Sequence, residues 1–555
     1  MQAYRNRSAC PVGNRPVAGV GSGPGISSGE NALRIAAIAL AAAFGLASCK
    51  PAHAPSPAAP QLAPADGIAW FAGSVDEAFA AATAQHKLVF LYWGAVWCPP
   101  CHDLKAHVFS RRDFQDKLRQ FVPVYLDGDA PGAQRTGDQF RVLGYPTAVV
   151  LTAERRELAR IAGGNDLASY ADVLDLALDN VRPLAEVLAA LQADSAMSLG
   201  EADCRRLAWN GWGLDPREQP AQLIAELQLA AARCPAGAVA ERDRLTLAAV
   251  NLAAADERDG LADGKVASAQ LGGLLDQVDA LLNDHQRALR SGDAVLSLGE
   301  DYFLAARLAR PGRVDALRAN WFALMDALEK DKRYGDSTRL DAVAKRVLAA
   351  KSLDASGRVP DAVAAQARAA LDAWLGKDYD PDTRSGVINS AEWVLTYLDD
   401  KARLRTLLEG EIRTSKTPYY YMADLADLEE QEGNTRQALD LLERAYRSSQ
   451  GPATRFQWGA LYAGGLLRMT PADEPRIRAA FLDVLGELEG PDRIHARARA
   501  RLDSLNSALM EWARRTKHRD TLQVLAQRWG GICAALPESD RVRDDCRKLV
   551  AADGR

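Results

Sequence analysis

The pattern of apolar positions changes character three times along the chain. Ile35 to Ala47 is an uninterrupted run of small and apolar residues preceded by Arg34. At 1.5 Å per residue it is too short to span a bilayer, and it has the length of a secretory h-region. Lys50 to Asp66 then loses all periodicity and fills with Ala and Pro (Pro51, Pro55, Pro57, Pro60, Pro64), the composition of a stiff, extended tether. From Gly67 helix and strand alternate. Ser74-Val75-Asp76-Glu77 has capping-box spacing and opens a helix with Ala78, Phe79 and Ala82 on one side. Lys87 to Trp93 is a nearly continuous apolar run, as expected of a strand buried on both faces. A helix is expected from Cys98–Cys101 to about Val108, and Ser110 is expected to cap another over Arg111 to Arg119. Phe121 to Leu126 reads as a second strand, followed by a polar loop. Ala148 to Leu151 is a third, with Glu157 to Ile161 pairing antiparallel to it and a last helix from about Asp166. This order is that of an α/β domain over 67–182. From 183 to 555 no strand pattern appears. Ala, Leu, Arg and Asp dominate, with apolar residues three and four apart, which predicts an all-α region.

At 555 residues the chain is too long for a single ordinary core. Its 48% hydrophobic and 25% charged residues are those of a globular protein. A net charge of −5 offers no basic surface for nucleic acid. The 7 histidines are scattered, none at metal-ligand spacing, so neither a metal nor another cofactor is expected.

The first apolar run ends in Leu46-Ala47-Ser48-Cys49, which resembles the lipobox of bacterial lipoproteins. The signal peptidase pocket admits only small residues before the cut, and only a thiol can take the diacylglycerol thioether. The resemblance implies removal of 1–48, lipidation at Cys49, and a 49–66 tether holding a periplasm-facing protein on its membrane. Lys50, rather than aspartate, after the lipidated residue favours the outer membrane over the inner.

The apolar strand at 87–93 leads into Trp97-Cys98-Pro99-Pro100-Cys101, and Gly144-Tyr145-Pro146-Thr147 follows downstream. Together these resemble the thioredoxin-like family, and Phe140 to Ala162 more narrowly resembles the C-terminal periplasmic domain of the thiol-reductant transporter DsbD. Cys98 and Cys101 sit close enough on a first helical turn to form a disulfide, and the helix dipole favours the Cys98 thiolate. Cys98 would attack a substrate disulfide and Cys101 would resolve the mixed disulfide. The resemblance further implies a cis Pro146, a Tyr145 backbone that pairs with substrate, and Trp97 flanking the entrance. A zinc site would need four ligands, and there is no second C-x-x-C. His102 is expected at the surface nearby. Pro99 and Pro100 lack N–H donors that would stabilise the thiolate, which argues for a reductase. Tyr92 stands where the family commonly has an aspartate that deprotonates the second cysteine. The implied partners are disulfides of exported proteins and a membrane thiol-reductant transporter as electron donor. An oxidase or isomerase, or an adaptor in which the helical region does the work, remain open.

Within the helical region, Met422, Leu425 and Leu428, then Gly433-Asn434, then Ala438, Leu439, Leu442 and Ala445 describe two antiparallel helices that resemble a tetratricopeptide repeat. Weaker echoes around Trp393 and Trp458 suggest a degenerate α-solenoid with a concave face for partners. Tyr419-Tyr420-Tyr421 reads as core. Of 8 cysteines, Cys10 leaves with the leader and Cys49 is lipidated. Beyond the redox pair, Cys204 with Cys234 is expected to bridge adjacent helices, and Cys533 with Cys546 to close the last hairpin.

Overall fold

Val89, Leu91 and Trp93 of strand β1 (Leu88–Gly94) enter one apolar cluster, and Phe90 and Tyr92 enter another, so the strand is buried on both faces. The computed structural model describes residues 67–162, 167–178, 182–193, 199–212, 220–265, 267–490 and 492–536, with 543 and 546. The lipobox, Cys49 and the 49–66 tether lie outside the described residues. β1 is central in a four-stranded sheet of order β2-β1-β3-β4. It runs parallel to β2 (Phe121–Asp127) and antiparallel to β3 (Thr147–Leu151), which pairs antiparallel with β4 (Glu157–Ala162). Pro123 is tolerated because β2 is an edge strand. Both edges are covered, since Phe71 N–H donates to Pro123 C=O and Gly211 N–H donates to Arg160 C=O.

Helix α1 (Val75–Gln85) opens with the capping box between Ser74 and Glu77, and it buries Ala78, Phe79 and Ala82. On the other face lie α2 (Pro99–Leu104), a π-helical turn (Lys105–Phe109), α3 (Arg112–Leu118) and α5 (Leu167–Leu178). The expected single helix to Val108 therefore changes from α to π hydrogen bonding at Lys105. Ser110 does not cap α3. Arg111 occupies that position without a side-chain cap, and the Ser110 hydroxyl donates to Ala106 C=O. The expected polar loop after β2 contains a helix, α4 (Ala133–Gln139). Its sequence AQRTGDQ has no apolar period to reveal it.

From Leu184 onward every described element is helical. The helices Pro418–Gln431 and Thr435–Ser448 bury the residues that the apolar spacing singles out, with Ala438 and Ala445 fully covered. Residues between 184 and 353 form one apolar cluster. The helices after Lys401 share a cluster with α1 and with the Val89–Leu91–Trp93 face of the sheet. No helix among the described residues is long and apolar enough to cross a membrane.

Candidate active site

The chain leaves β1 at Gly94 and turns through Trp97, which places Cys98 at the N-cap of α2 in an extended conformation. Pro99 follows at the first helical position, where a missing N–H costs nothing. Cys98 and Cys101 form a disulfide with Cα atoms 5.2 Å apart. Cys101 N–H points at Cys98 Sγ over 3.3 Å, and His102 N–H donates to Cys98 C=O. One donor therefore survives beside the sulfur despite Pro99 and Pro100, and the α2 dipole is aimed at it. The Tyr145–Pro146 bond is cis. The Tyr145 hydroxyl accepts from Gln134 Nε2, and burial pushes its pKa up. Tyr92 is buried edge-on to Phe109 at 4.8 Å.

The site is covered. Cys98 is 1% exposed, Cys101 7% and Trp97 4%. Trp97 therefore does not flank an open entrance. Its ring meets Trp458 edge-on at 5.0 Å and stacks on Tyr420 at 6.1 Å, and its Nε1–H donates to Thr454 Oγ1 over 2.8 Å. Thr454 also donates to the Asp129 carboxylate from its N–H, at 2.9 Å, and from its hydroxyl. Tyr420, expected only as core, is thus part of the cover. His102 is not a free surface residue either. Nδ1 lies 2.7 Å from Asp382 Oδ1 and Nε2 lies 2.9 Å from Val96 C=O. Lys105 Nζ meets the other Asp382 oxygen at 2.8 Å.

Electrostatics follow these contacts. Burial raises the Asp129 carboxyl to about 6, against the lowering effect of the Thr454 hydrogen bonds. The hydrogen bond from His102, reinforced by Lys105, holds Asp382 down at about 2 against desolvation. His107 is raised by its hydrogen bond to Asp103. His495 is depressed to about 3 by burial among Arg493, Arg497, Arg499 and Arg501. Among the described residues no three His, Cys, Asp or Glu side chains are placed to hold a metal ion.

The other four described cysteines are joined away from α2. Cys204, in the Glu201–Trp209 helix, bonds Cys234 just after the Pro220–Arg233 helix, with Cα atoms 5.7 Å apart. Cys533 bonds Cys546 at the same Cα separation. Asp129, Asp382 and Thr454 escape sequence reasoning, because their partners lie hundreds of residues away and no local motif marks them, and Trp458 is marked there only as a repeat echo.

Residues 75–178 match the family of thioredoxin-like domains. A solved thioredoxin from Thermus thermophilus is 28% identical over 20% of this chain and 85% of its own length, with a TM-score of 0.18. No curated protein matches the chain. The chain therefore carries a thioredoxin-like α/β domain followed by a largely helical region, and its C-x-x-C pair is of the thiol–disulfide exchange type.

Proposed function

We propose that the protein is a periplasm-facing thiol–disulfide oxidoreductase, anchored through a lipid on Cys49, that reduces disulfides of exported proteins. The observation that supports the oxidoreductase part of this reading is the Cys98–Cys101 disulfide at the N-terminus of α2 within a thioredoxin-like domain. Reduced Cys98, as a thiolate, attacks one sulfur of the substrate disulfide. The substrate S–S bond breaks, and the departing sulfur takes a proton. Cys101 then attacks Cys98 Sγ, releasing the second substrate thiol and closing the Cys98–Cys101 bond. Two electrons and two protons pass to the substrate. An external dithiol, supplied by a membrane thiol-reductant transporter, restores the reduced pair. Residues 183–555 are read as a degenerate tetratricopeptide-like solenoid, a reading that the hairpin Pro418–Gln431 with Thr435–Ser448 supports.

Direction is tested by the reduction potential of the pair in the form beginning after Cys49, equilibrated against dithiothreitol or glutathione. A value near about −270 mV is expected of a reductase. A value near about −120 mV, that of a strong oxidant, would overturn the direction and make the protein an oxidase or isomerase.

A further inference from the structure

The face of the domain that carries the redox pair is closed by the chain's own helices, and three separate points hold it shut. The helix Pro381–Leu398 lies along α2. Its Asp382 pairs with His102 and Lys105, and its Gly386 sits so close that a Cβ there would fall 2.8 Å from Asp103 Oδ1. On the helix Asp336–Leu353, the Ser337 hydroxyl donates to the other Asp103 oxygen. At the start of Pro452–Met469, Thr454 joins Trp97 to Asp129, and a Cβ on Gly451 would overlap the Asp129 side chain. Before and within Ala496–Thr516, Asp492 pairs with Arg135, Ala496 N–H donates to Asp138, and the Arg497 guanidinium lies 4.2 Å over the Tyr145 ring. Tyr420 and Trp458 complete the cover over Trp97.

Two features mark this contact. Glycine stands where the helices approach the redox domain most closely, at 386 and 451, so the fit is set by the absence of a side chain. Ion pairs and side-chain hydrogen bonds also hold the contact together around its aromatic centre. Such groups recover their hydration when the surfaces part, which offsets part of the cost of exposing the apolar residues that the two sides share. Disulfide exchange, however, requires the attacking sulfur to reach its target in line. At 1% and 7% exposure, no sulfur of another protein reaches Cys98 or Cys101.

We propose that the helical region is a clamp closed over the oxidised Cys98–Cys101 pair, and that exchange with another protein requires its release from α2 and the Trp97 turn. This rests on the exchange reading of the pair, but it concerns access and holds for either redox direction.

The test uses the oxidised full chain. Reduction of Cys98–Cys101 by reduced thioredoxin is followed by quenching with a maleimide and mapping the labelled peptide. Gly386→Ala improves the propensity of its own helix while wedging it off Asp103. Thr454→Val keeps the side-chain shape and removes the hydroxyl between Trp97 and Asp129. Both variants are expected to be reduced at least tenfold faster than wild type, with unchanged far-UV circular dichroism. Equal rates in wild type and both variants would overturn the clamp. Accelerated variants that, once reduced, transfer nothing to a protein disulfide such as insulin would uphold the clamp and remove the reading of the pair as a reductant of protein disulfides.

Discussion

Two disulfides of this chain are almost equally buried and are buried in different ways. Cys98 and Cys101 are 1% and 7% exposed, and Cys204 and Cys234 are 0% and 6% exposed. The second pair lies inside the cluster of helices between 184 and 353, all contributed by neighbouring chain. The first is covered by segments more than 280 residues further along, through ion pairs and hydrogen bonds to Asp382 and Thr454. Exposing Cys204–Cys234 means taking a core apart. Exposing Cys98–Cys101 means parting the redox face of the sheet from helices that lie far along the chain and share its apolar cluster through Trp97, Tyr420 and Trp458. Burial therefore does not separate a structural disulfide from an exchangeable one. What separates them is whether the cover can leave as a body.

The contrast is broken most severely by removing each bond. Closing a loop of 30 residues in the unfolded chain implies that the Cys204→Ala, Cys234→Ala double variant loses roughly 3–4 kcal/mol. The 3-residue separation of the redox pair implies only about 1–2 kcal/mol for Cys98→Ser with Cys101→Ser. Urea unfolding of the two double variants measures the difference, and equal losses would erase the distinction.

A smaller effect is expected from Asp382→Asn, which removes the carboxylate shared by His102 and Lys105. It should cost about 1 kcal/mol and raise the rate at which reduced thioredoxin attacks the pair. The gap between variant and wild type should narrow in high salt, because the pair is part-exposed and screened. A gap independent of salt would mean that the ion pair does not hold the clamp.

The finest effect is on pH dependence. The Asp129 carboxyl is raised from 3.8 to about 6, so its protonated form is favoured by the closed state. Its contribution is complete below pH 3.8 and is lost as pH rises through about 6. His107, raised from 6.5, acts in the same direction at higher pH. Asp382, lowered to about 2, acts oppositely, and its contribution is lost only as pH falls through about 2. Between pH 5 and 7 the melting temperature of Asp129→Asn should therefore fall less with rising pH than that of wild type. Identical slopes would remove Asp129 from the latch.

Much of the redox domain is legible locally. The Ser74–Glu77 box, the apolar runs at 87–93 and 121–126, and the Cys98–Cys101 spacing each encode their element within a few residues. The α4 helix is not, because its seven residues carry no apolar stripe and form where tertiary packing places them. Tyr420 illustrates the harder limit. The aromatic cluster Tyr419-Tyr420-Tyr421 reads as core and Tyr420 is buried, but the local sequence says nothing of what covers it, and Trp97 stacks on it.

By itself, the sequence determined which two cysteines pair at the start of α2, since two cysteines three apart at a helix start are brought together by covalent and helical geometry alone. It also determined that every described element from Leu184 on is helical, since that depends on a three-to-four-residue period. Only the tertiary structure decided that this helical region closes over the cysteines. Asp382 and Thr454 reach His102 and Trp97 through complementary surfaces, and the pairing of surfaces 280 and 357 residues apart leaves no periodic trace in either segment.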